Sequence, residues 1–193
     1  MVSCIVTNCS NRRRSLKGSI IVPIAKGPYP PRIGPGWWAD WRRGCLKAVS
    51  LQRECLARGE RAEVLILCDA QYKGGRPEAE YYQEALTQAG AQNIRTIIEG
   101  RETVRQVDIA RALARAEDKY LVVVSTWLHY PRVAWLLRGS GARHVGAFGI
   151  PHWRYACMDI VLNIAFPLID LFPGGRARFL SYTESKRIRG EYL

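Results

Sequence analysis

The chain has 193 residues, 48% of them hydrophobic, with a formal net charge of +12 and a pI near 9.8. That length supports one well-buried core and is too short for two comfortable ones. The positive balance points to anionic company, whether nucleotide, phosphorylated small molecule, nucleic acid or acidic lipid headgroup, and does not by itself choose among them. Residues 1–18 read as a basic N-terminal tail carrying Arg12, Arg13, Arg14 and Lys17. The apolar stretch at its start is shorter than a signal-peptide core, and the basic residues follow it instead of preceding it. No export signal is visible, so the cytoplasm is the expected compartment.

From Ser19 onward short apolar runs alternate with amphipathic stretches. That alternation predicts an α/β domain over residues 19–172, a three-layer Rossmann-like open sheet of about five parallel strands with helices on both faces. The predicted strands are Ile20 to Ala25, Glu63 to Cys68, Ile94 to Ile98, Tyr120 to Ser125 and His144 to Phe148. After the first strand, Pro28, Pro30, Pro31, Gly34, Pro35 and Gly36 make a long, stiffened loop. G-x-G-x-x-G and a P-loop are both absent, which argues against a standard NAD-binding or nucleotide-hydrolysing domain.

The helices follow from apolar spacing. Trp38, Trp41, Cys45, Ala48, Val49, Gln52, Cys55 and Leu56 recur at i, i+3, i+4, with Gly59 closing that helix. Tyr82, Ala85, Leu86 and Ala89 repeat the pattern up to Gly90. Val104, Val107, Ala110 and Leu113 or Ala114 mark a third helix, with Arg105, Asp108, Arg111 and Arg115 on its wet face. Pro131 in a first turn, followed by Val133, Trp135, Leu136 and Leu137, marks a fourth. The most hydrophobic segment, Ala156 to Phe172, carries Asp159, Asn163, Pro167 and Asp170. Crossing a bilayer would bury two carboxylates and a helix breaker, so a packed helix is expected, with peripheral membrane contact as the alternative. Residues 173–193 read as a basic C-terminal tail with Arg176, Arg178, Lys186, Arg187 and Arg189.

The six cysteines form no C-x-x-C pair and have no His at zinc-finger spacing, so no metal site is expected. Cys45, Cys55 and Cys68 fall on apolar faces, as suits small buried hydrophobes in a reducing compartment.

Parallel strands place all their carboxyl ends on one edge, where open α/β sheets bind ligands at the point of strand-order reversal. Here that crevice is expected between the first and fourth strands. The residues that follow the five strands are Lys26 and Gly27; Asp69, Gly75 and Glu78; Glu99 and Thr103; Ser125, Thr126, His129 and Arg132; and His152 and Arg154. Ser125 and Thr126 read either as a cradle for a phosphate at the next helix N-terminus or as that helix's N-cap. Arg132 adds a bidentate contact to an anion, and His129 is a candidate acid or base. Asp69 stands where many nucleotide-binding sheets hold a ribose. Glu78 and Glu99 serve a ligand hydroxyl, a basic partner or a solvated face. A triad of Ser or Thr, His129 and Asp69 lacks the G-x-S-x-G elbow.

These motifs resemble the YdcF/SanA/ElyC-like family, a bacterial domain of unknown function, over roughly Ser19 to Phe148. V-V-V-S-T-W-L-H-Y-P-R-V-A is similar to the family's strand, Thr/Ser-Ser, His and Arg-Ala at the same spacing. I-I-E-G-R-E-T-V-R-Q resembles its Glu-x-x-Asn-Thr-x-Glu-Asn box, with Glu99 and Thr103 in place, and Arg76-Pro77-Glu78-Ala79 resembles its second-strand Glu-Ala. Glu102 and Arg105-Gln106 differ from that box, and Cys68-Asp69-Ala70 replaces the usual Ser-Gly-Gly. The resemblance implies a Rossmann-like fold and a nucleotide-like ligand, S-adenosylmethionine being the family's suggested cofactor, with no agreed reaction.

Three functions compete at this point. The first is binding of an anionic or nucleotide-like small molecule at the carboxyl edge. The second is a phosphoryl- or acyl-transferring hydrolase acting on an envelope intermediate, with His129 as acid/base and Arg132 stabilising developing charge. The third is a nucleic-acid-binding module, prompted by the charge and six tryptophans. Trp38 and Trp41 match a buried helix face, which argues against nucleic acid.

Overall fold

Leu121, Val122, Val123 and Val124 run without a polar interruption because β4 (Tyr120–Thr126) lies inside a sheet covered on both sides, and all of it but Tyr120 is buried. The computed structural model describes residues 17–25, 39–69, 76–151 and 153–188. Beside β4 stand β1 (Ser19–Pro23), β2 (Ala62–Leu67), β3 (Ile94–Ile97) and β5 (Arg143–Ala147). Every pairing is parallel, in the order β3-β2-β1-β4-β5. Strand order reverses between β1 and β4, where the sequence predicts the crevice. The proline-rich stretch between β1 and the first helix lies outside the described residues.

Alternate strand residues divide the core into two layers. On one face Ile21, Val64, Ile66, Val122 and Val124 meet α1 (Asp40–Ala57) and α2 (Glu78–Gln88) through Cys45, Val49, Tyr82 and Leu86. On the other, Ile20, Val22, Leu65, Leu121 and Val123 meet α3 (Thr103–Ala116) and α4 (Tyr130–Leu137) through Val104, Val107, Val133 and Leu136. This is the three-layer Rossmann-like architecture expected from the alternation. Cys45, Cys55 and Cys68 are buried.

The helix stops follow backbone chemistry. Gly59 (φ +73°) ends α1, with its N–H donating to the Leu56 carbonyl and that of Glu60 to the Cys55 carbonyl. Gly90 (φ +81°) ends α2 in the same way, through N–H groups that reach Thr87 and Leu86. α3 ends likewise, but its left-handed residue is Asp118 at φ +51°. A carboxylate there also faces the negative end of the helix dipole. Asp118→Gly is therefore expected to stabilise the fold by about 0.5 kcal/mol, read as a higher urea midpoint at unchanged slope.

Two expectations are corrected at the C-terminal side. Residues 175–188, read as part of a basic tail, form α6 (Gly175–Ile188). Phe179 and Leu180 pack on the second core, and Arg176 pairs with Asp108 at 2.7 Å. That contact, with the bond from Arg111 to the Leu136 carbonyl, covers part of the face of α3 expected to be wet. At the other end, Lys17 and Gly18 already make backbone bonds to Asp118 and Tyr120, so the tail is shorter than residues 1–18.

The apolar segment forms α5 (Trp153–Leu171), but it packs by one face only. Phe166 is fully buried, whereas Ile160, Val161, Ile164, Leu168 and Leu171 are exposed. Among the described residues no helix is long and apolar enough to cross a membrane.

Candidate functional site

β4 delivers Ser125 and Thr126 to opposite faces of the sheet, as successive strand residues must. Ser125 follows Val123 toward the α4 side, where its hydroxyl lies 2.8 Å from Nε2 of His144 on β5. The Tyr130 ring stacks on that imidazole, 4.0 Å between centroids. Ser125 is therefore engaged inside the α4 layer, away from the crevice expected for it. Neither hydroxyl caps α4, because Trp127, Leu128 and His129 form a turn between strand and helix and His129 occupies the N-cap position. The phosphate cradle expected at Ser125 and Thr126 from that helix's N-terminus is thereby displaced.

Burial pushes the His144 imidazole down to about 4. The unfolded chain takes up this proton below the usual value of about 6.5, whereas the folded chain resists it until about pH 4. Stability is thus full above the unfolded value and falls as pH drops from about 6.5 toward 4, by about 1–2 kcal/mol after allowance for partial solvent access. His144→Gln should flatten that limb in pH-resolved urea titrations.

The turn after β4 carries the other cluster. His129 Nε2 lies 2.8 Å from Asp159 Oδ1, and Arg132 Nη2 lies 3.3 Å from the same oxygen. All three side chains are buried. One helical turn beyond Asp159, Asn163 donates to the Leu128 carbonyl at 2.6 Å. α5 thus docks through its polar residues. Burial lowers the proton affinity of Arg132, while Asp159 and, beyond it, Glu102 at the start of α3 act in the opposite direction. A guanidinium remains charged under such opposition, so the site holds a fixed cation.

Among the described residues, Arg132 Nη1, Gln106 Nε2, Thr126 Oγ1, His144 Nδ1 and Asn163 Oδ1 are buried at this end of the sheet without a hydrogen-bond partner. Gln106 spends its carbonyl oxygen on the Ala25 N–H at 3.0 Å, just past β1, which leaves its amide as a pure donor. The Arg132 and Gln106 donors, withdrawn from water on the α3 and α4 side of the sheet, call for an acceptor.

The remaining predicted residues separate. Asp69 receives Arg101 Nε at 3.0 Å and so ties the β2 loop to the β3 loop. Glu78 is buried with its carboxylate 2.9 Å from Cys68 Sγ. Glu99 is exposed and Thr103, partly buried, opens α3. Lys26, Gly27, Gly75 and His152 lie outside the described residues. Of the predicted set, the structure brings His129 and Arg132 together on Asp159, while Thr126 ends β4 on the opposite, α1 side of the sheet.

Glu102 and Gln106, departures from the family's box, complete the surroundings, and Asp159 and His144 join them unexpectedly. Asp159 had a readable signal, since a carboxylate in an otherwise apolar helix requires a buried cation. The chain matches no family model and no curated protein.

Proposed function

We propose that the chain binds a small anionic, nucleotide-like molecule at the carboxyl edge of its sheet. The observation that supports this reading is the set of buried, unsatisfied groups along that edge, Gln106 and Arg132 on the α3 and α4 side of the sheet and Thr126 on the other, because an anion or a ribose supplies the acceptors they lack. The Trp127 and Phe148 rings lie nearly parallel at 6.5 Å on the same rim, and Phe148 is 78% exposed, a surface on which a base can stack. S-adenosylmethionine fits the nucleotide-like part of this description, offering a ribose and one carboxylate although its sulfonium and ammonium make it cationic overall. The family suggested by the strand-turn-helix motif remains part of the proposal.

Calorimetry with S-adenosylmethionine, adenine nucleotides, sugar phosphates and inorganic phosphate tests the reading. At least one organic anion should bind with a micromolar Kd and outcompete phosphate. Silence across the panel would remove the proposal.

A second reading, phosphoryl or acyl transfer, is favoured by the His129–Asp159 pair, since a carboxylate on one ring nitrogen orients a general base. A phosphatase and esterase panel, with His129→Gln as control, separates turnover from binding.

A further inference from the structure

α5 is amphipathic in the reverse sense. Its buried side presents Asp159 and Phe166, with the Asn163 amide beside them, and the Asp170 carboxylate is also turned in at 8% exposure. Its outer side presents Trp153, Ile160, Val161, Ile164, Leu168 and Leu171, at spacings of i, i+7, i+8, i+11, i+15 and i+18. These repeat as one continuous stripe along the helix. They are 53% to 67% exposed, and Phe172 extends the stripe at 70%. Each leaves about 100–150 Å² open to solvent, so the stripe offers roughly 800 Å². Monomeric proteins seldom expose a contiguous apolar patch of that size.

We propose that this face is a self-association surface, on which α5 packs antiparallel against α5 of a second copy of the chain. The area is what one partner buries in a stable interface of standard size, about 800 Å². The stripe is also complementary to itself. A two-fold axis through Ile164 sets Ile160 against Leu168 of the other copy, and the small, exposed Cys157 against the larger Leu171. Residues 155–172 contain no Lys or Arg, so the contact opposes no like charges. The same absence argues against a lipid surface, because helices that lie on bilayers carry cations along their flanks. The +12 charge of each copy acts at longer range and is screened by salt, so association strengthens as ionic strength rises. Adsorption to anionic lipid would weaken.

Sedimentation velocity of the full chain, from about 1 to 100 µM at low and high salt, is the test. The expected result is a concentration-dependent dimer favoured by salt, with Ile164→Asp raising its Kd by at least about 30-fold. Because Ile164 is exposed, the circular dichroism of that variant should be unchanged. A second arm uses Ile164→Cys in a background carrying Cys4→Ser, Cys9→Ser and Cys157→Ser. Oxidation should join two copies at the axis, whereas native Cys157 lies about 20 Å from its counterpart and should not cross-link to it. A monomer at every concentration, a dimer indifferent to Ile164→Asp with no cross-link at 164, or a monomer that binds phosphatidylglycerol vesicles through the stripe would each overturn the proposal.

Discussion

Asp159→Ala is expected to lower the unfolding free energy by about 3–5 kcal/mol. The carboxylate sits between His129 at 2.8 Å and Arg132 at 3.3 Å, all of them buried. Removing it leaves a guanidinium in low dielectric, with Glu102 as a more distant counter-charge. Arg132 cannot shed its proton to escape that cost. For a domain of this size the loss corresponds to a fall in Tm of about 10 °C. Asp159→Asn keeps an acceptor and the shape, and should cost about half as much. A loss under about 1 kcal/mol for Asp159→Ala would show that water reaches the cluster and that Asp159 does not hold α5 to α4.

Phe166→Ala should cost about 3–5 kcal/mol for a different reason. Phe166 is completely buried, and its ring meets that of Phe179 edge-on at 5.4 Å and 69°, which couples α5 to α6 and to the second core. Truncation leaves a cavity that two helices with few other buried anchors cannot readily close. Phe166→Leu restores much of the volume and should recover more than half of the loss. Urea midpoints report both variants. A Phe166→Ala midpoint close to that of the parent chain would mean that α5 repacks freely.

The sheet was legible because burial on two faces removes polar residues from whole strands. Leu121 to Val124 and Val64 to Leu67 admit no other reading once Gly59 and Gly90 punctuate the helices before and after β2. The C-terminal helices were less legible, because periodicity reports which residues are apolar and not which face has a partner. In α5 Asp159, Asn163 and Asp170 share one side, which periodicity alone turns to water, whereas polar contacts turn it inward. Arg132 reaches Asp159 across 27 residues and Asn163 reaches Leu128 across 35. In α6, Phe179 and Leu180 sit among cations whose number hides them. At the site, proximity to strand ends singled out His129 and Arg132, which meet on Asp159. It did not show the partner of Ser125, because only the pairing of β4 with β5 brings His144 close enough to bond it.

If the unsatisfied groups at the carboxyl edge serve a ligand, Thr126→Val separates that role from folding. Val keeps the shape of Thr and removes a buried hydroxyl that has no partner, so the free chain should gain about 1 kcal/mol. If the hydroxyl serves a ligand, the same change should weaken binding by at least about tenfold. The decisive measurement is the paired one, urea stability and calorimetric affinity on this one variant. Greater stability with weaker binding is the predicted result. Lower stability, or affinity equal to that of the parent chain, would contradict it.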